Sequence, residues 1–150
     1  MKGPNNVRGY WNKPAETAAA FTDGWFHTGD AGRIDEDGYV YVVDRIKDMV
    51  LRGGENVYCA EVEAAIFEQP GVADVAVIGL PHERLGEEVV AVVVRKPGAE
   101  LSDESLRSAL ADQLASFKVP TKVIFRDAEL PRNATGKVLK RELKTEYAPR

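Results

Sequence analysis

One cysteine, Cys59, is the only thiol in the sequence, so no disulfide can form within the chain. That scarcity fits a reducing compartment. No apolar run approaches the roughly 20 residues a membrane helix needs. The start, Met1-Lys2-Gly3-Pro4-Asn5-Asn6, carries no apolar signal segment. The expectation is a soluble cytoplasmic protein with no transmembrane segment. Excess positive charge is also missing: the net charge is −4, so no overall basic field argues for nucleic acid. There is no internal repeat, no low-complexity tract and no Gly/Ser/Thr-rich phosphate loop. Gly136-Lys137 resembles the end of a nucleotide-hydrolase loop, but that motif needs Gly where Pro131 stands and Ser or Thr where Val138 stands. Asn133-Ala134-Thr135 fits a glycosylation acceptor, a triplet with no export signal beside it.

What is present is an ordinary globular composition, 44% apolar and 29% charged over 150 residues. This suffices for one full domain, or one domain and a fragment of another. Residues 1–30 are rich in Gly, Pro and aromatics (Tyr10, Trp11, Phe21, Trp25, Phe26) and weakly periodic, with little regular structure expected. Such a strip needs something larger to pack on. The runs 31–35 and 39–43 flank Glu36-Asp37-Gly38, and an Asp-Gly step between β-rich runs predicts a hairpin. The texture changes after Asp44, which places a boundary between residues 1–47 and 48–150.

Beyond it, helix and strand alternate. Ala60 to Glu68 reads as a helix with Val62, Ala65 and Ile66 inward. Ala73 to Leu80 and Glu88 to Arg95 read as strands, and Val89-Val90-Ala91-Val92-Val93-Val94 suits a central strand covered on both faces. Ser102 is a candidate N-cap, followed by a stripe of Leu106, Leu110, Leu114 and Phe117. Lys122 to Phe125 reads as a short strand and Lys137 to Tyr147 as a final helix. The fold class expected is α+β, a small mixed sheet flanked by helices, preceded by a β-hairpin strip.

Chemistry-bearing residues appear one by one. Asp30 closes the polar turn His27-Thr28-Gly29-Asp30; a carboxylate there can accept both hydroxyls of a ribose or simply stabilise the turn. Arg45 is a permanent cation that could also pair with Asp44 or Asp48. Gly53-Gly54 permits close approach of a ligand, or a tight turn. From Arg132 onward six cations face two carboxylates, as on a solvated helix face or beside an anionic ligand. The basic final helix lacks the base-stacking platform of a nucleic-acid binder.

In order, Gly24-Trp25-Phe26-His27-Thr28-Gly29-Asp30, Gly38-Tyr39, Asp44-Arg45-Ile46-Lys47-Asp48, Gly54-Glu55-Asn56-Val57 with Glu61-Val62-Glu63, and Pro131-Arg132-Asn133-Ala134-Thr135-Gly136-Lys137 strongly resemble the adenylate-forming enzymes, most closely the acyl-CoA synthetases. The resemblance runs from about Gly9 to Leu143. It implies the C-terminal mobile domain (48–150) and the end of the N-terminal domain (1–47) of a ligase of fatty acid metabolism. Such a ligase turns a carboxylate, ATP and CoA into acyl-CoA, AMP and pyrophosphate through an acyl-adenylate. ATP, CoA and Mg are bound by the full-length enzyme, and the N-terminal domain of the same protein is the partner. By the resemblance, Asp30 holds the ribose hydroxyls of ATP and Arg45 contacts the ribose. Lys47 is the hinge, Gly54 lines the CoA tunnel, and Lys137 is the catalytic lysine of adenylation. No metal ligand is assigned. Cys59 departs from the pattern, standing where many relatives carry Pro, ahead of a helix that could lower its pKa. Asn56 and Leu51 receive no role. As a fragment the chain should be inactive alone. The alternatives are an adenylation module serving a carrier protein and a stand-alone CoA- or partner-binding module. Acyl chain length is unreadable, and a homo-oligomer stays open.

Overall fold

The computed structural model describes residues 1–149, and these divide into two compact units, one ending at Ile46 and the other beginning at Lys47. In the first, α1 (Pro14–Ala20) starts on a proline, whose missing N–H costs nothing at a helix start. A short hairpin, β1 (Phe21–Thr22) and β2 (Trp25–Phe26), turns at Asp23-Gly24. A second joins β3 (Asp30–Ile34) and β4 (Val40–Arg45) antiparallel. Its turn is held by Asp35, whose Oδ1 accepts the N–H groups of Tyr39 (2.8 Å) and Asp37 (3.1 Å). Those donors set its carboxyl below the usual carboxylate value. Residues 1–30 therefore hold more regular structure than their weak periodicity suggests, in elements too short to show a period.

The second unit carries the core. β5 (Val50–Arg52) and β6 (Glu55–Val57) form a hairpin, and α2 (Cys59–Phe67) follows. β7 (Val72–His82) and β8 (Gly86–Arg95) make a long antiparallel pair, and β9 (Lys122–Arg126) joins β8 in parallel. The sheet is mixed, and β8 is its central strand. Pro81 lies in β7, which stands at the edge of the sheet beside β8, and a proline is tolerated on such an edge. Alternate residues of the two long strands feed opposite faces. Val75, Val77, Val89, Ala91 and Val93 pack with Val62 and Ile66 of α2 and with Leu106 and Leu110 of α3 (Asp103–Ala111). Ala76, Ile78, Val90 and Val92 pack with Leu130 and with Leu143 of α4 (Lys140–Tyr147). The unbroken apolar run of β8 is thus explained by cover on both sides.

Ser102 caps α3: its Oγ accepts the Ser105 N–H at 3.0 Å. Two helix bounds differ from expectation by more than one residue. α3 ends at Ala111, so Leu114 and Phe117 leave the helical stripe; they still pack against the core from the turns that lead to Pro120 and β9. The last helix begins at Lys140 rather than Lys137, because the backbone of 132–138 is committed to a closed loop.

Candidate functional site

Two sets of expected residues are positioned by the fold, one in each unit. In the first unit Asp30 and Arg45 are register partners across β3 and β4, so their side chains stand directly opposite. Arg45 Nε lies 2.8 Å from Asp30 Oδ1, and Arg45 Nη1 donates to the Thr28 carbonyl at 3.2 Å. The Asp30 N–H donates to Thr28 Oγ1 at 3.1 Å, and the Ile46 N–H to the Gly29 carbonyl at 2.9 Å. The Arg45 guanidinium thus pairs with Asp30, while the Arg45 N–H donates to Asp44 Oδ1 at 2.7 Å. A β-bulge at Ala31/Gly32 shifts the ladder and brings residues 30 and 45 into register. The result is a carboxylate held from one side by a fixed cation.

In the second unit the loop before α4 is closed by several bonds around one side chain. Asn133 Oδ1 accepts from the N–H of Thr135 (3.0 Å), the Thr135 hydroxyl (2.8 Å) and the N–H of Lys137 (2.9 Å). The Asn133 N–H donates to the Lys137 carbonyl, and Arg132 and Val138 form an isolated antiparallel bridge. Gly136 sits at φ +82°, a left-handed conformation that glycine takes without a Cβ penalty. Lys137 stands exposed on this loop, and among the described residues no carboxylate pairs with its ammonium. A lysine with a fixed main chain and an unclaimed charge is able to meet an incoming anion. Lys47, exposed in the short 3-10 turn Ile46–Asp48, lines the same shallow concavity as Lys137, together with Asp48, Asn133, Lys140 and Arg141.

Gly54 occupies the tip of the β5–β6 hairpin. Gly53 and Gly54 have φ +61° and +90°, the positive pair that a two-residue hairpin turn needs. Gly54 is exposed, and a Cβ built on it would meet nothing within 4 Å. The hairpin supplies both properties weighed for the pair, a tight turn and an open backbone.

Cys59 is fully buried, and its thiol donates to the Asp48 carbonyl at 2.8 Å. It is the first residue of α2, but it faces the interior. Beside it Lys140 bonds Glu63 at 2.7 Å. Burial pushes the Lys140 ammonium down, and its electrostatic interactions with Cys59, Glu63 and Asp48 outweigh that and raise it above the ordinary lysine value. Sequence reasoning missed this pairing, as it missed the roles of Arg132 and Asn133. Only Asn133 left a local signal, as an Asn two residues before a Thr in a turn. Among the described residues no group of three or more His, Cys, Asp or Glu side chains could hold a metal ion, and no helix is long and apolar enough to cross a membrane.

Comparison with known proteins fits this geometry. The profile of the AMP-binding enzyme C-terminal domain matches residues 61–137, half of the chain. A long-chain-fatty-acid–CoA ligase of Mycobacterium tuberculosis, FadD13, is 50% identical over 142 residues, 95% of this chain and 28% of its own length. The fatty acid–[acyl-carrier-protein] ligase ScoC of Streptomyces coeruleorubidus is 51% identical over 144 residues, 96% of this chain and 28% of its own. The crystal structure of ATP-bound MatB from Rhodopseudomonas palustris, 51% identical, matches with a TM-score of 0.88 over 97% of this chain and 29% of that one. The apo form of MatB, 52% identical over the same shares, gives 0.70. The chain thus spans little more than a quarter of the length of these relatives. It belongs to the AMP-binding enzyme C-terminal domain family of the adenylate-forming enzymes.

Proposed function

We propose that this chain is the mobile C-terminal part, with an adjoining strip of the large domain, of an AMP-forming acid–thiol ligase that joins a carboxylic acid to CoA. The observation that carries the reading is Lys137: an exposed ammonium without a carboxylate partner among the described residues, on a loop whose main chain is pinned. In the first half-reaction a carboxylate oxygen bonds to the α-phosphorus of ATP. The bond from that phosphorus to the bridging oxygen breaks, and pyrophosphate leaves. Two anions approach each other in that step, and a preorganised cation lowers the barrier. A flexible stem and compact charge suit a group that enters the site and withdraws again. In the second half-reaction the sulfur of CoA bonds to the acyl carbon, the bond to the AMP oxygen breaks, and the thiol proton is lost.

The other residues take their parts around these steps. Asp30 accepts the ribose hydroxyls of ATP, and Arg45 fixes that carboxylate and reaches the ribose. Lys47 is the hinge, and Gly54 lines the passage for the CoA arm. ATP, CoA and Mg2+ are bound by the full-length enzyme, and the N-terminal domain of the same protein supplies the rest of the pocket. MatB supports the hinge: one equally covered segment scores 0.88 in the ATP-bound crystal structure and 0.70 in the apo one, so its arrangement differs between the two.

The test uses Lys137→Ala in the full-length ligase. ATP–pyrophosphate exchange should fall on the order of 100- to 1000-fold, the usual cost of losing one such donor. Thioester formation from preformed acyl-adenylate should persist. Equal losses in both half-reactions would overturn the assignment.

A further inference from the structure

We propose that Arg132, braced by Asp74, is a positioning residue for Lys137; this rests on the reading of Lys137 given above. A long lysine side chain reaches a fixed point in space only if its Cα is fixed. The Cα of Lys137 is carried by the peptide plane between Gly136 and Lys137, and that plane is held at both ends. Its N–H donates to Asn133 Oδ1 at 2.9 Å, and its carbonyl oxygen, that of Gly136, accepts from Arg132 Nη1 at 2.6 Å. The first bond lies within the loop and cannot say where the loop stands. The second ties the loop to the sheet, because Arg132 Nη2 donates to Asp74 Oδ2 at 2.6 Å.

Asp74 is a sound anchor. It lies in β7 opposite Val94 of β8, and its Oδ1 accepts the Val75 N–H at 3.0 Å, which fixes the carboxylate. The guanidinium fork engages a carbonyl and a carboxylate with two different nitrogens. The single nitrogen of a lysine cannot span both in that planar geometry. Arg132 is itself partly exposed, so its truncation removes a tie without opening a hole in the core.

The experiment measures the two half-reactions separately in the full-length ligase. Arg132→Ala should slow ATP–pyrophosphate exchange at least tenfold and up to about 100-fold, the cost of misplacing a reacting group by about an ångström. Thioester formation from preformed acyl-adenylate should stay within about twofold. A merely structural role would depress both. Asp74→Ala should reproduce the selective loss, and the double variant should be no worse than Arg132→Ala alone, because the two act in series. Arg132→Lys should recover part of the rate. Three results overturn the proposal: exchange unchanged in Arg132→Ala, equal loss in both half-reactions, or a normal Asp74→Ala, since Arg132 would then act directly on the nucleotide. Lys137→Ala in the same assay separates the two failures. If that variant exchanges normally, the function reading falls; if only the Arg132 and Asp74 variants do, the positioning role falls alone.

Discussion

At the scale of one residue, the backbone geometry of Gly54 bears on the proposed thioester step. At φ +90° any side chain strains the turn, by about 1–3 kcal/mol for a residue forced into a sparsely populated region. The space around it is open, so the strain is not joined by a clash. A Gly54→Val substitution should therefore leave the second unit folded, with its melting temperature lowered by several degrees. In the full-length ligase thioester formation should drop more than tenfold, because the added methyl groups stand where the CoA arm is expected to pass. ATP–pyrophosphate exchange should be close to normal. This is the mirror image of Lys137→Ala, and the pair of variants tests whether the two residues serve different steps. A Gly54→Val enzyme that lost both half-reactions equally would remove the passage from the account.

At the scale of elements, α4 is held by tertiary contacts rather than by its own ends. It has no side-chain cap, and Lys140 stands at its N-terminus, where the helix dipole disfavours a cation. Two contacts offset this. Leu143 is completely buried, and Lys140 bonds Glu63, whose Oε1 also accepts the Val77 N–H at 2.8 Å on the open edge of β7. The Lys140 ammonium is raised above the ordinary value of 10.5, its burial being outweighed by the neighbouring Cys59, Glu63 and Asp48. For a cation whose folded pKa is raised, the stabilisation is complete below the unfolded value and is lost as pH rises through the folded one. Lys140→Met should thus cost roughly 1.5–3 kcal/mol at neutral pH, as for a hydrogen bond to a charged partner. The gap from the parent should close as the pH is raised beyond 10.5. Denaturant melts of the second unit along a pH series check both parts.

The elements most legible in the sequence were those built on a period or a cap. The run Val89–Val94, the stripe of α2 and the Ser102 cap each follow from side-chain pattern alone. The start of α4 was not legible. An asparagine side chain takes over the backbone donors of Thr135 and Lys137, and no helical period records that. The pairing of Asp30 with Arg45 was hidden for a related reason. It depends on a bulge one residue away that resets the register of two strands, whereas the sequence offered the adjacent Asp44. The order of motifs exposed the residues of the candidate site; their mutual contacts needed the fold.

On the scale of the whole molecule, apolar burial is divided very unevenly. Among the described residues every buried hydrophobic one lies between Val50 and Leu143, and the first unit has none. Trp11 is 91% exposed, and Ile34, Val40 and Val42 on the β3–β4 hairpin are each about 70% exposed. A lone two-stranded hairpin is marginal in water, so the first unit lacks the means to hold itself together, whereas the second has a sheet covered on both faces. Residues 47–150 expressed alone should therefore unfold in one cooperative transition, and residues 1–46 alone should show none. Hydrogen exchange in the 150-residue chain should follow the same division. Amides of β7 and β8 should exchange slowest, and those of β1 to β4 should exchange within the dead time of a manual experiment. A truncated 47–150 that melted without cooperativity would show that the first unit supplies core after all. The consequence bears on the proposed mechanism: the alternation proposed for Lys137 and Gly54 requires the second unit to move as a rigid body, and a unit that keeps its own core meets that requirement.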